Sequence, residues 1–290
     1  MDHLPGVITA ALTVPRTPLW LPNITHTLVE MGRVKLSLDT GITMLKYGTA
    51  RVIANDASAP YHVVACLPFY SGSYSVDPHL LAECLGSDVA HRYQEIGLTF
   101  YTADEIANTT ALNCLQEAID ILAAIPSLHR TIATLVRVCH LIKPADGDYD
   151  VSYSDPQVPF SIFLSVPQRR RAHDALRVAE SIVHEAMHLQ LTLIEHVVPL
   201  VHPSEEGSFS PWKGAYRSPQ GVLHALYVFR VIDQCLEQLL ALSCWSLSSL
   251  DHMRNRRREI AKQVREIEAF KDSTALTTAG TRFVQRLIDG

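Results

Sequence analysis

Pro167 and Pro199 bracket a segment that reads as one long helix running to about Val198. Proline suits a helix start, where its missing N–H would be unpaired anyway, and it stops a helix further along. Inside that segment lies His184-Glu185-Ala186-Met187-His188, an H-E-x-x-H. On a helix, residues four apart share one face and lie about 6 Å apart along the axis, so two imidazoles there can converge on one metal ion. Ile182, Val183, Met187 and Leu189 flank the motif. Two histidines and a glutamate in such apolar surroundings need compensation, and a metal ion supplies it.

Glu185 is rotated about 100° from His184 around the helix. It is better placed to hold a bound water or a substrate group than to join the clamp. In metallopeptidases the glutamate of this motif is the general base. A catalytic metal needs a third protein ligand. The extended metzincin form requires glycine and histidine where this chain has Leu191 and Ile194, so it is excluded. Glu195 lies on the same face but about 10 Å further along, too far to share the ion. His196 is on a different face. Glu205 and Glu206 fall in a Pro- and Ser-rich loop and read as solvated. His224, near the start of the next helix, remains the candidate; its alternative is a satisfied core histidine.

A three-histidine or two-histidine-plus-carboxylate site suits iron as well as zinc. Iron in a facial triad leaves room for a 2-oxoacid and oxygen. The far carboxylate of such a cosubstrate then wants a cation. Arg217 and Lys213 lie shortly before His224, and an arginine fork matches a carboxylate. The alternative for both is a pair of exposed loop cations. Trp212 and Tyr216 between them point to an ordered loop.

Elsewhere the chain mixes helices with short strands. Residues 24–47 read as helical. "RVIANDASAPYHVVACLPF" mixes strand-like runs with turns. Thr102, followed by Asp104 and Glu105, opens a helix that Pro126 closes, and a second follows over roughly 127–138. "DYDVSYS" and "FSIFLSV" read as strands. Helices are expected from about Val222 to Trp245, over "LDHMRNRRREIAKQVREIEAF", and over about 277–288. The fold class is α+β, predominantly α-helical, with a small antiparallel sheet before the long helix, zincin-like by analogy. Residues 1–100 form an N-terminal region suited to substrate recognition, and 101–290 a metal-binding catalytic region; together they read as one compact unit.

The 290 residues are 47% hydrophobic and 19% charged, enough to build a core. A net charge of −5 argues against general nucleic-acid binding. No signal peptide or membrane span is read, and six cysteines without a C-x-x-C pattern read as reduced thiols, so the expected location is cytoplasmic. "QRRRAH" at 168–173 and "RNRRR" at 254–258 read as solvated helix faces, with docking of an acidic leader peptide as the functional alternative.

"YSDPQVPFSIFLSVP", "RVAESIVHEAMHLQL", "FSPWKGAYRSPQGVLHALYVF" and "REIEAFKDSTALTTAG" together resemble the H-E-x-x-H-motif peptide-modification family of ribosomal peptide natural-product clusters. The resemblance covers roughly Tyr149 to the C-terminus, about half the chain. It implies an iron(II)- and 2-oxoglutarate-dependent β-hydroxylase acting with O2 on a precursor peptide. His184 and His188 match the family's metal histidines, and His224 its later Leu-His element. Arg217 matches the arginine of an Arg-Pro step that here reads Arg-Ser-Pro, and the family's Trp-Arg is here Trp212-Lys213. These positions imply the 2-oxoglutarate anchor. The other readings are a zinc metallopeptidase with Glu185 as base, a hydroxylase of a free or carrier-bound amino acid, and a non-enzymatic peptide binder.

Overall fold

The computed structural model describes residues 3–15, 17–40, 62–68, 79–85, 87–107, 110–144, 151–155, 160–167, 171–204 and 207–290. In chain order, the first half comprises α1 (Leu4–Thr13), α2 (Pro22–Thr40), β1 (His62–Pro68), β2 (His79–Cys84), α3 (Ser87–Gln94), α4 (Ala103–Ala107), α5 (Ala111–Ala123) and α6 (Pro126–Leu135). Then come β3 (Val138–Ile142), β4 (Ser152–Tyr153), β5 (Ser161–Ser165), α7 (Asp174–Glu195), β6 (Ser208–Ser210) and β7 (Ala215–Arg217). The chain finishes with α8 (Pro219–Leu240), α9 (Leu247–Glu266), a 3-10 turn (Glu268–Asp272) and α10 (Thr278–Asp289). The fold is α+β and mostly helical, as the periodicities imply. No described helix is long and apolar enough to cross a membrane.

The chain divides into two compact units, and the division does not fall near residue 100. One unit is Val29–Ala186; the other joins Met1–Leu28 to Met187–Gly290. Helices α2 and α7 each run from one unit into the other.

The Val29–Ala186 unit is built on a five-stranded sheet of order β1-β2-β3-β5-β4. The small antiparallel sheet expected before the long helix is instead mixed. β1·β2 and β4·β5 are antiparallel, but β2·β3 and β3·β5 are parallel. The reason is visible in β3 and β5, which are buried at every position. Strands covered on both faces read as unbroken apolar runs without alternation. Helix α6 therefore stops at Leu135, and Val138–Ile142, the start of which was assigned to the helix, is the central strand.

Thr102 and Glu105 form a reciprocal cap. The Thr102 N–H donates to Glu105 Oε2 at 2.8 Å, and the Glu105 N–H donates to Thr102 Oγ1 at 3.3 Å. The helix they open is short. α4 ends at Ala107 and α5 starts afresh at Ala111, so the single helix expected to reach Pro126 is two. α5 buries Ala111, Cys114, Leu115, Ala118, Ile119 and Leu122, a stripe at helical spacing. An aromatic cluster of Tyr93, Phe100, Tyr153 and Phe163 fills one side of the sheet, with Tyr153 stacked on Phe163 at 4.4 Å. His140 stands beside them, its ring 4.8 Å from Phe163 and its Nδ1 3.1 Å from the Glu83 carbonyl. Cys139, its neighbour on β3, is fully buried. The segment 41–47, most of "RVIANDASAPYHVVACLPF" and residues 168–170 lie outside the described residues.

The second unit is helical apart from the β6–β7 hairpin. Its two stretches of sequence are tied together at several points. Arg286 of α10 donates to the carbonyls of Ala11, Leu12 and Thr17, closing the C-terminal end of α1. Gln190 of α7 is fully buried and donates to the Trp20 carbonyl and to Thr25 Oγ1, each at 2.8 Å. The Tyr227 hydroxyl donates to the Gln190 side-chain oxygen, and burial holds that phenol well above its ordinary range. α10 begins at an N-cap, Thr277, whose hydroxyl accepts from the Gly280 N–H and donates to the Pro199 carbonyl. Here the chain needs glycine. A Cβ on Gly280 would fall 1.9 Å from the Leu200 carbonyl oxygen.

Candidate functional site

Helix α7 starts at Asp174, seven residues beyond Pro167. Its first turn is fixed by the Asp174 carboxylate, which accepts from the Arg171 N–H at 2.6 Å. Past this cap the helix buries Ile182, Val183, Ala186, Met187, Leu191 and Ile194. The H-E-x-x-H sits mid-helix as expected. His184 and His188 are half-buried and one turn apart, while Glu185 is buried at 2% exposure. His184 Nε2 lies 3.9 Å from Glu185 Oε1, at the long limit of an ion pair.

Helix α8 supplies the next histidine. Pro219 occupies its first turn, and the Ser218 hydroxyl caps it by accepting from the Gly221 N–H at 3.2 Å. That start sets the helical phase. Val222, Leu223 and Leu226 turn into the core, and His224 faces α7. His224 Nδ1 lies 3.1 Å from His188 Nδ1, with ring centroids 5.4 Å apart and planes 18° apart. On its far side His224 Nε2 lies 2.8 Å from Glu195 Oε2. That oxygen also accepts from Gln220 Nε2 at 2.9 Å. The row Gln220–Glu195–His224–His188 therefore runs between the two helices, with the His224 and Glu195 side chains largely covered.

Two nitrogens bound to one ion at about 2.1 Å lie roughly 3.0–3.4 Å apart for octahedral to tetrahedral angles. The His188–His224 spacing of 3.1 Å fits that range. Two imidazole lone pairs aimed at each other repel unless a proton or a cation lies between them, so the same geometry serves either. Glu195 meets the opposite nitrogen and does not complete a donor set. Among the described residues no group of three or more His, Cys, Asp or Glu is arranged to hold a metal ion. The donors in place are the pair.

Arg217 and Lys213 are on the β6–β7 hairpin and are exposed. Neither has an ion pair among the described residues. Of the two aromatic residues expected to pack there, Trp212 does. Trp212 stacks on Phe229 of α8 at 5.1 Å and 7°. Tyr216, by contrast, is 75% exposed and meets only Phe209 edge-on among the described aromatic rings. Glu205 and Glu206 lie outside the described residues. In the basic run on α9, Arg256 pairs with Glu259 and lies over the Phe229 ring, and Arg257 pairs with Asp233 and Glu237. Those two guanidiniums are engaged within the fold.

Sequence reasoning missed Glu195 and Gln220. The distance argument that removed Glu195 as a ligand was sound for sharing an ion, but a histidine has two nitrogens on opposite sides of its ring. A ring from a neighbouring helix can reach both His188 and a carboxylate two turns further on. The signal was the spacing of His188 and Glu195 on one face of α7. No protein-family model matches the chain, and no curated protein matches it.

Proposed function

We propose that the chain is an iron(II)- and 2-oxoglutarate-dependent hydroxylase of an amino-acid side chain in a ribosomally made precursor peptide. The observation that carries this reading is the meeting of His188 with His224. A histidine picked from a later helix stands at ligand spacing from the second histidine of the H-E-x-x-H. The ligands proposed on that geometry are His188 of α7 and His224 of α8; His184, the other histidine of the motif, is proposed from its sequence spacing alone. Iron(II) held there would, with 2-oxoglutarate and oxygen as cosubstrates, supply the oxidising power to hydroxylate an unactivated C–H bond, the cosubstrate leaving as succinate and carbon dioxide. The residues of the chain orient and exclude water, the usual protein share in cofactor chemistry. Glu185, buried beside His184, orients a water or a peptide amide from behind the clamp. Arg217 is the proposed partner of the distal carboxylate, with Lys213 adding positive charge on the same hairpin.

The test is direct. Protein purified without oxygen is given iron(II), 2-oxoglutarate, oxygen and a candidate precursor peptide. Gain of one oxygen on the peptide with matching succinate release supports the reading. Zinc-dependent cleavage of the peptide without succinate replaces it with the peptidase reading. Peptide binding with no metal retained replaces it with a non-enzymatic binder.

A further inference from the structure

The Glu195 carboxylate has a position that the ligand set alone does not account for. It is half-buried at the end of α7, held by Gln220, and directed at the one nitrogen of His224 that faces away from His188. A carboxylate accepts, so the His224 Nε2 must donate, and a neutral imidazole with its proton on Nε2 presents a bare lone pair at Nδ1. That lone pair is the one 3.1 Å from His188 Nδ1. We propose that Glu195 is a positioning residue: it fixes the tautomer and ring orientation of His224 so that Nδ1, and not Nε2, meets the metal, and Gln220 holds Glu195 in place. The metal clause rests on the function proposed above; the tautomer clause does not.

The arrangement has the form in which a carboxylate behind a ligating histidine sets its proton and raises its basicity. Gln220 has a distinct part. A glutamate at a helix end has several open rotamers, and an amide donating to Oε2 from the first turn of α8 selects the one that faces His224. α8 thus brings both the histidine and the group that steers its carboxylate partner, four residues apart on one face.

Two readouts test this. In metal-free protein labelled with 15N-histidine, long-range 15N–1H correlation reports the tautomer of each ring, and the His224 signals are assigned by their loss in His224→Gln. The native protein is expected to show the Nε2-protonated form, and Glu195→Leu a mixture of forms. Glu195→Gln, whose amide oxygen still accepts, is expected to keep it. A native His224 carrying its proton on Nδ1, or an unchanged tautomer in Glu195→Leu, overturns the proposal. The second readout is titration with cobalt(II), followed by its visible absorption. Glu195→Leu is expected to weaken cobalt(II) binding by roughly 10- to 100-fold, and Glu195→Gln to recover part of the loss. Equal affinity in all three proteins overturns the metal clause. Native protein that binds no cobalt(II) sinks the metal reading itself, while the NMR result still decides the tautomer clause.

Discussion

His224 Nε2 and Glu195 Oε2 lie 2.8 Å apart, while the other nitrogen of the same ring lies 3.1 Å from His188 Nδ1. One imidazole is therefore shared between a carboxylate and a second imidazole, with both ring nitrogens occupied. His188 and Glu195, two turns apart on α7, thus meet opposite nitrogens of one ring from α8.

If His188 and His224 are donors to one ion, removing either must release it. His188→Ala and His224→Ala are each expected to lose iron(II) on desalting under nitrogen, with far-ultraviolet circular dichroism unchanged. The affinity loss should exceed the roughly 10- to 100-fold typical of a supporting residue. Full iron content in His224→Ala would assign the third ligand elsewhere.

Gly280→Ala would ordinarily stabilise a helix interior by up to about 1 kcal/mol. Here the added methyl would sit 1.9 Å from the Leu200 carbonyl oxygen, a backbone atom with little freedom to retreat. We expect a net loss of about 3 kcal/mol, at the upper end of overpacking costs, because backbone must move. Urea denaturation of the two proteins measures it, and an unchanged midpoint would mean that α10 can shift.

Asp233 accepts from both Arg230 and Arg257, at 2.9 and 2.7 Å. Its own side chain is only 12% exposed, whereas Glu237, the second partner of Arg257, is 62% exposed. Asp233→Ala strands the Arg230 guanidinium, leaves Arg257 only the exposed Glu237, and should cost on the order of 3 kcal/mol. Glu237→Ala should cost less than about 1 kcal/mol. Equal effects in thermal or urea unfolding would refute the distinction drawn from burial.

Acid stability should decline in two stages. Burial pulls His140 down from the usual 6.5 to about 4, with the Glu83 carbonyl opposing. The unfolded chain therefore binds the extra proton between those values, and the contribution of a neutral His140 is complete above pH 6.5 and lost as pH falls towards 4. Glu105 is held down from 4.5 to about 2, first by the Lys143 ammonium at 2.6 Å and then by the Thr102 N–H. Its contribution is present above pH 4.5 and lost as pH falls towards 2. His140→Phe should flatten the first stage and Glu105→Gln the second, read as stability against pH by denaturant titration.

Local signals were legible wherever one residue's chemistry decides the outcome. Thr102 and Glu105 announced a cap and form one. Pro126 falls at the junction of α5 and α6, whereas α7 starts seven residues after Pro167 and ends four before Pro199. His224 was selected as the histidine that a following helix could carry to the clamp, and it does reach His188. What depended on pairing between distant segments was not legible. Val138–Ile142 alternates in nothing, because it is buried on both faces between parallel neighbours, and an apolar run of that length fits a helix end equally well. The division of the chain was hidden for the same reason. No composition shift marks residues 28 or 186, since both fall inside helices, and the joining of residues 1–28 to the C-terminal helices rests on contacts such as Arg286 with Thr17. Glu195 was discarded by a correct distance applied to the wrong question.

The unit that joins Met1–Leu28 to Met187–Gly290 has a consequence for how the polypeptide is born. A ribosome emits Val29–Ala186 as one uninterrupted stretch that can mature while synthesis continues. The opening residues must wait, their apolar Ile8, Leu12 and Trp20 uncovered, until the last helix emerges with Arg286. A chaperone that shields nascent segments is thus expected to hold residues 1–28 until α10 has emerged. Release of a stalled chain lacking α10 should leave an N-terminus open to protease while the sheet-bearing half resists.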